Sequence, residues 1–107
     1  MRKSKLRFEH FARHESRIFQ SALSDLRKIS ADSRRIFGDR VATELGVRIQ
    51  TIVERIRRAP ESAPPVEQRS GVRVVLLIRY PYKIFYRILQ DRIRILHIRH
   101  TSRRPWR

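Results

Sequence analysis

The sequence predicts an α+β fold in which an N-terminal hairpin of two helices packs on a twisted antiparallel sheet of three to four strands. Apolar residues between positions 22 and 56 recur mostly every three or four residues, which is the period of amphipathic helices. From residue 72 onward, β-branched and aromatic residues dominate three runs separated by short turns. Helices that precede the strands, instead of alternating with them, are typical of an α+β domain.

Two helices account for the first half of the chain. Ser21 suits the N-cap of the first helix and Gly38 suits its C-terminus. Asp39 suits the N-cap of the second helix, which ends at Ala59 because a residue before proline disfavours helical geometry. The predicted apolar stripes are Ala22, Leu23, Leu26, Ile29, Ile36 and Phe37 in the first helix, and Val41, Leu45, Ile49, Ile52, Val53 and Ile56 in the second. A Gly-Asp turn between these helices predicts a hairpin whose stripes share one partner surface.

The second half of the chain supplies that surface. Residues 60–71, rich in proline, form a connecting loop. Three strands follow, predicted at Val72–Ile78, Tyr82–Leu89 and Ile93–Arg99. The segments between them are short enough for hairpin turns, which predicts a three-stranded antiparallel meander.

Alternation along the second strand assigns its two faces. One face carries Ile84, Tyr86 and Ile88, and the other carries Lys83, Phe85, Arg87 and Leu89. The first face is expected to pack on the helices, and the second is expected to expose charge mixed with apolar groups.

The N-terminal region is harder to interpret. Arg17–Gln20 is predicted to add an edge strand, because Ile18 and Phe19 favour extended structure. Residues 1–16 are expected to form an extension of uncertain structure, and residues 17–107 a single domain.

Composition limits the classes of function. The chain has 107 residues, a net charge of +16 and no cysteine, which excludes a disulfide scaffold, a cysteine nucleophile and thiolate-bound metal. No apolar run approaches the ~20 residues that span a bilayer, and the N-terminus lacks the apolar stretch of a secretory signal. We expect a cytoplasmic protein without a membrane partner, cofactor or metal.

Positive charge is densest at the C-terminal end. From Val72 onward the chain carries ten Arg or Lys residues and a single acid, Asp91. Arginine on a rigid sheet makes bidentate contacts to phosphates or carboxylates, so the cluster predicts an anionic partner.

Two motifs in this region resemble a known family. Residues 79–88 read Arg-Tyr-Pro-Tyr-Lys-Ile-Phe-Tyr-Arg-Ile, and residues 95–106 read Ile-Leu-His-Ile-Arg-His-Thr-Ser-Arg-Arg-Pro-Trp. They are similar to the C-terminal half of the RelE/ParE family of bacterial type II toxins, and the likeness extends upstream through residues 22–29 and the helix end at Ala59. It covers roughly residues 17 to 106 and implies the helix-hairpin-on-sheet fold predicted above.

The resemblance also implies partners. Family toxins are encoded beside an antitoxin that neutralises them, expected here to be acidic, partly disordered and helical on binding. ParE-like members inhibit DNA gyrase without chemistry of their own, whereas RelE-like members cut messenger RNA on the ribosome.

The residues that separate these two activities favour the first. Arg103 matches the C-terminal arginine of RNA-cutting members and Lys83 matches a basic position in their central strand. Two lysines of those members fall here at Val74 and Leu76, which transfer no protons, and the terminal tyrosine is missing. Arg73, His97 and His100 are candidate substitutes, so RNA cleavage stays open as the alternative.

The resulting hypothesis is a growth-inhibiting toxin, closer to ParE than to RelE, with a ribosome-dependent mRNA endoribonuclease as the alternative. A basic RNA- or ribosome-binding module without toxicity is the third interpretation. The residues expected to contact the target are Arg73, Arg79, Arg87, Arg99, Arg104 and Trp106; those expected to be catalytic, if the protein cuts RNA, are Arg103, Lys83 and His100.

Overall fold

A computed structural model of the chain describes residues 16–90 and 92–101. In order, the elements are α1 (Ser16–Phe19), a 3₁₀ turn (Gln20–Ala22), α2 (Leu23–Phe37), α3 (Asp39–Arg58), β1 (Val72–Leu76), β2 (Tyr82–Ile88) and β3 (Ile93–His100). The sheet order is β1-β2-β3 and both pairings are antiparallel. The predicted α+β architecture is confirmed, with a three-stranded meander in the described residues.

The helices cover one face of the sheet. Ile49, Ile52 and Val53 of α3 share a buried cluster with Ile84 and Tyr86 of β2. The predicted inner face of β2 is confirmed for Ile84 and Tyr86, which point into this main core, whereas Ile88 at the end of the strand is exposed. We call this the inner face of the sheet, and the opposite side the outer face.

The segment Arg17–Gln20 is a helical turn, so the predicted edge strand is wrong. Ile18 and Phe19 are neighbours in the sequence, and both are buried in the main core. A strand would send successive side chains to opposite faces and leave one of them outside. A helical turn against β3 lets both contribute to one core.

Two predicted N-caps are also wrong. Ser21 lies within the 3₁₀ turn that leads directly into α2, so no helix starts there. Asp39 is the first residue of α3 and Gly38 is its N-cap; the Asp39 carboxylate instead lies 2.9 Å from Nε of Arg34. Gly38 does end α2 as predicted, and its φ of 91° lies in the left-handed region that favours glycine.

The apolar stripe of α2 is shorter than predicted. Leu26 and Ile29 are buried, but Ile36 is 58% exposed and Phe37 is 65% exposed. Both lie in the last turn of the helix, beyond the area that the sheet covers, because Ser33 is the last buried residue of α2.

An acid of α2 binds the edge of the sheet. Asp25 Oδ2 accepts a hydrogen bond from the backbone N–H of Ile98 at 3.0 Å and lies 3.4 Å from Nδ1 of His97. An unpaired edge N–H is costly when it is partly buried, so this contact fixes α2 against β3.

Tyr86 links the sheet to the connecting loop. Its side chain is fully buried and its hydroxyl donates a hydrogen bond to the carbonyl of Pro60. Burial raises the pKa of the Tyr86 phenol above 10.0, although the nearby Arg73 guanidinium partly opposes the shift. The folded state therefore favours the neutral phenol.

We expect the stability of the fold to decrease above about pH 10 because of Tyr86. Because the pKa of Tyr86 is higher in the folded state, the stabilisation that its phenol contributes is fully present below the pKa of the unfolded chain, about 10. This stabilisation is lost as the pH rises through the pKa of the folded state. The free energy of unfolding in urea, measured from pH 7 to 11 for the unmodified protein and for Tyr86→Phe, checks this expectation. The substitution is expected to lower that free energy by about 1 kcal/mol at neutral pH. Above pH 10, the variant is expected to lose stability less steeply than the unmodified protein. Parallel pH profiles of the two proteins would contradict the assignment.

Candidate functional site

The outer face of the sheet is built around Phe85. Phe85 is buried there with Val72 of β1 and Val66 of the connecting loop, and Val74 and Leu96 pack against them. The loop reaches this face because the Val66 N–H donates to the carbonyl of Val72 and the Val74 N–H donates to the carbonyl of Pro64. The result is a small apolar cluster on the side of the sheet opposite the described helices.

Four basic residues flank this cluster in two opposed pairs. Lys83 lies directly opposite Arg99, and Arg87 lies directly opposite Arg94. Like charges placed opposite each other on antiparallel strands destabilise a sheet. We call these four residues the cationic face; their arrangement concentrates positive charge on either side of Phe85.

A β-bulge brings the four together. Phe85 pairs with His97 but the next residue, Tyr86, pairs with Ile95, so Leu96 is an extra residue in β3. Arg94 and Arg99 are separated by an odd number of positions and would lie on opposite faces of a regular strand. The bulge reverses the alternation, and both Ile95 and Ile98 can then enter the main core.

The acids of the described residues are mostly engaged elsewhere. Ion pairs join neighbouring side chains on the helices, for example Lys28–Asp32 at 3.2 Å and Arg57–Glu54 at 3.1 Å. Within residues 16–90 and 92–101, Lys83, Arg87 and Arg94 form no ion pair. No acid in that part of the chain neutralises these three charges, although the Nε of Arg94 is itself buried without a hydrogen-bond partner.

An apolar groove adjoins the cationic face. Its volume is about 540 Å³, and Pro64, Val66, Val74 and Leu76 are among the residues that line it, with Lys83 at its side. Leu76 is 60% exposed although it is a large apolar residue in a strand. Such a groove next to charge suits a partner that brings both apolar and acidic side chains.

Arg73 lies on the other side of the sheet from the cationic face. It pairs with Tyr86 in the register, and its Nη1 donates to the carbonyls of Ala63 at 2.6 Å and Glu61 at 3.3 Å. Its guanidinium holds the connecting loop in place. Contact with a target remains a prediction for this residue, but the structure gives it a role within the fold.

Two further predicted residues are also apart from the cationic face. Arg79 lies in the turn between β1 and β2, with a φ of 78°. His100 pairs with Tyr82 in the register, and their rings meet edge to face with centroids 5.6 Å apart. Arg103, Arg104 and Trp106 lie outside the described residues.

Arg94 belongs to the cationic face, although the sequence analysis did not name it among the residues expected to contact the target. Arg94 lies opposite Arg87 because of the strand register, and it lies on the same face as Arg99 because of the bulge. The signal in the sequence was the high density of arginine in β3, which does not specify a face.

The outer face has few side chains that could transfer protons during RNA cleavage. Val74 and Leu76, at the positions where RNA-cutting toxins are expected to carry lysines, lie on the same face as Lys83. The nearest described histidine in the register, His97, is held beside Asp25. Among the described residues, no group of three or more His, Asp or Glu side chains could hold a metal ion. None of the helices in this part of the chain combines the length and the hydropathy that a membrane-spanning helix needs.

Comparisons with known proteins agree with the geometry. Residues 17–105 match the family described as ParE toxin of type II toxin-antitoxin system, parDE. A solved structure titled "Chromosomal ParDE TA system from P. aeruginosa" is similar, with 25% sequence identity, a TM-score of 0.67, and coverage of 77% of this chain and 89% of that one. Comparison with curated proteins gives no match.

Proposed function

Because the chain belongs to the ParE toxin family of type II toxin–antitoxin systems, we propose that it inhibits growth by acting on DNA gyrase and is neutralised by a cognate antitoxin. The observation that carries the proposal is the composition of the outer face. It combines four cations with an apolar groove, and it has valine and leucine where an RNA-cutting toxin needs proton-transferring side chains. Such a face is suited to binding a partner, but it lacks the proton-transferring side chains at these two positions that RNA cleavage needs.

The charge of the face supports an anionic or DNA-bound target. Arginine forms bidentate hydrogen bonds with phosphate and carboxylate groups, and β-sheet residues hold such side chains in a fixed relative position. Gyrase with its bound DNA offers both kinds of group. Binding through Lys83, Arg87 and Arg94 requires no rupture of an existing ion pair in the described structure.

The groove beside the cationic face supports an antitoxin of a particular kind. A partly disordered, acidic segment that becomes helical on binding would place apolar side chains between Leu76 and Pro64 and its acids near Lys83. The affinity of that complex is expected to decrease with added salt, though less steeply than for a purely electrostatic complex. An antitoxin bound there would cover the target-binding face.

Induced expression in a bacterial culture tests the proposal. An inhibitor of gyrase is expected to stabilise cleaved gyrase–DNA complexes and to induce the DNA-damage response, while messenger RNA stays intact. Gyrase cleavage and RNA 5′ ends are measured on the same culture. Co-expression of the product of the neighbouring gene is expected to restore growth.

The alternative outcomes are distinct. Codon-positioned cuts in messenger RNA within minutes, with no gyrase–DNA complexes, would identify a RelE-like endoribonuclease, for which Lys83 on the outer face is the favouring observation. Normal growth without either signal would indicate the non-toxic RNA- or ribosome-binding module.

A further inference from the structure

A second cavity, lined by two arginines, lies on the helical side of the sheet. It has a volume of about 410 Å³ and lies between one flank of α3 and the turn that joins β1 to β2. Its lining residues are Thr43, Glu44, Val47, Arg48, Thr51, Arg79 and Tyr80. Residues 43, 47 and 51 recur every four positions along α3 and form one wall, and the turn forms the other.

The two arginines of this cavity lack partners in the described structure. Glu44 lies four residues from both Arg40 and Arg48, and it pairs with Arg40, whose Nε is 3.5 Å from Oε1 of Glu44. Within residues 16–90 and 92–101, the side chains of Arg48 and Arg79 form no hydrogen bond or ion pair. Arg48 and Arg79 therefore line one concave space from separate elements, and the single acid among its lining residues, Glu44, is already paired with Arg40.

The backbone at Arg79 adds a second observation. Its φ of 78° makes it the only described residue other than glycine with a positive φ. Glycine adopts this conformation freely, whereas another residue loses about 1 kcal/mol or more there. A long charged side chain at this strained position costs stability, which the fold tolerates where the side chain has a function.

We propose that Arg48 and Arg79 form a binding site for a phosphate group. Arginine forks match the oxygen geometry of phosphate, and a tetrahedral phosphate has enough oxygens to accept hydrogen bonds from both guanidiniums and from the hydroxyls of Tyr80 and Thr43. Thr51 takes no part as a donor, because its hydroxyl donates to the carbonyl of Val47 at 3.0 Å. The phosphate belongs either to a free anion or nucleotide, or to a nucleic-acid backbone.

Titration calorimetry on the purified full chain tests the site. The probes are inorganic phosphate, sodium acetate and a short single-stranded DNA oligonucleotide, all at constant ionic strength. Arg48→Ala and Arg79→Gly are each expected to weaken phosphate binding tenfold or more, the usual effect of removing a charged hydrogen-bond donor. Arg27→Ala, which removes an exposed arginine of α2, is the matched control and is expected to leave the affinity unchanged.

Arg79→Gly separates binding from folding. Glycine relieves the strain at φ 78°, so this variant is expected to melt at the same or a higher temperature than the unmodified protein without phosphate, while it binds phosphate more weakly. Tighter binding of the oligonucleotide than of inorganic phosphate, with the same dependence on both arginines, identifies a backbone phosphate. Equal binding identifies a free phosphate ligand, and both results support the site.

Three results would overturn the proposal. They are unchanged phosphate affinity in Arg48→Ala and Arg79→Gly, an equal loss of affinity in Arg27→Ala, and acetate binding as tight as that of phosphate. The proposal is independent of the gyrase hypothesis, since the cavity and the cationic face share no residue.

Discussion

Ile52→Asp is expected to abolish cooperative folding. Ile52 is 3% exposed on the side of α3 that meets the sheet, and it belongs to the same buried cluster as Ile84 and Tyr86. A carboxylate in this apolar cluster loses its hydration, which costs several kcal/mol in addition to the lost apolar contacts. This expected loss is comparable to the whole free energy of unfolding of a typical domain, about 5 to 15 kcal/mol. Far-UV circular dichroism during urea unfolding is the measurement.

Val47→Asp is the matched control for this prediction. It makes the same kind of substitution five residues earlier on α3, but Val47 is 43% exposed. We expect it to change the free energy of unfolding by less than about 1 kcal/mol. If Ile52→Asp unfolds in a sharp transition with the same urea midpoint as the unmodified protein, this side of α3 does not form the core.

Arg87→Glu is expected to abolish growth inhibition without destabilising the fold. Arg87 lies directly opposite Arg94, so a glutamate there replaces a pair of like charges by a pair of opposite charges. That change stabilises an antiparallel sheet by about 0.2 to 1 kcal/mol. At an interface with an anionic target, reversing one charge of a close pair costs about 1.5 to 7 kcal/mol, a loss of tenfold or more in affinity. Colony formation after induction and thermal melting are the two measurements.

Arg27→Glu serves as the control for Arg87→Glu. It makes the same change of charge at an exposed position of α2, away from the outer face. We expect the control to remain toxic. If Arg87→Glu stays fully toxic, the cationic face is not the target-binding surface; if it melts much lower, the arrangement of Arg87 and Arg94 is wrong.

Local patterns were enough to predict most of the elements. The apolar period in residues 41–56, the alternation from Lys83 to Tyr86 and Gly38 as a helix end are properties of neighbouring residues, and the structure confirms each. Prediction was weakest where packing overrides local preference. Ile18 and Phe19 favour a strand, but a helical turn buries both, and burial of two large side chains outweighs the small differences in β-propensity.

The sequence by itself determined the order of helices and strands, the inner face of β2 and the basic character of the C-terminal half. The tertiary structure alone decided which basic residues lie together. Arg73 turned inward to bind loop carbonyls, a bulge placed Arg94 beside Arg99 on the outer face, and Arg48 of α3 met Arg79 across a cavity. The physical reason is that periodicity relates residues two to four positions apart, whereas strand register and helix packing join residues far apart in the chain, and a single inserted residue reverses every face that follows it.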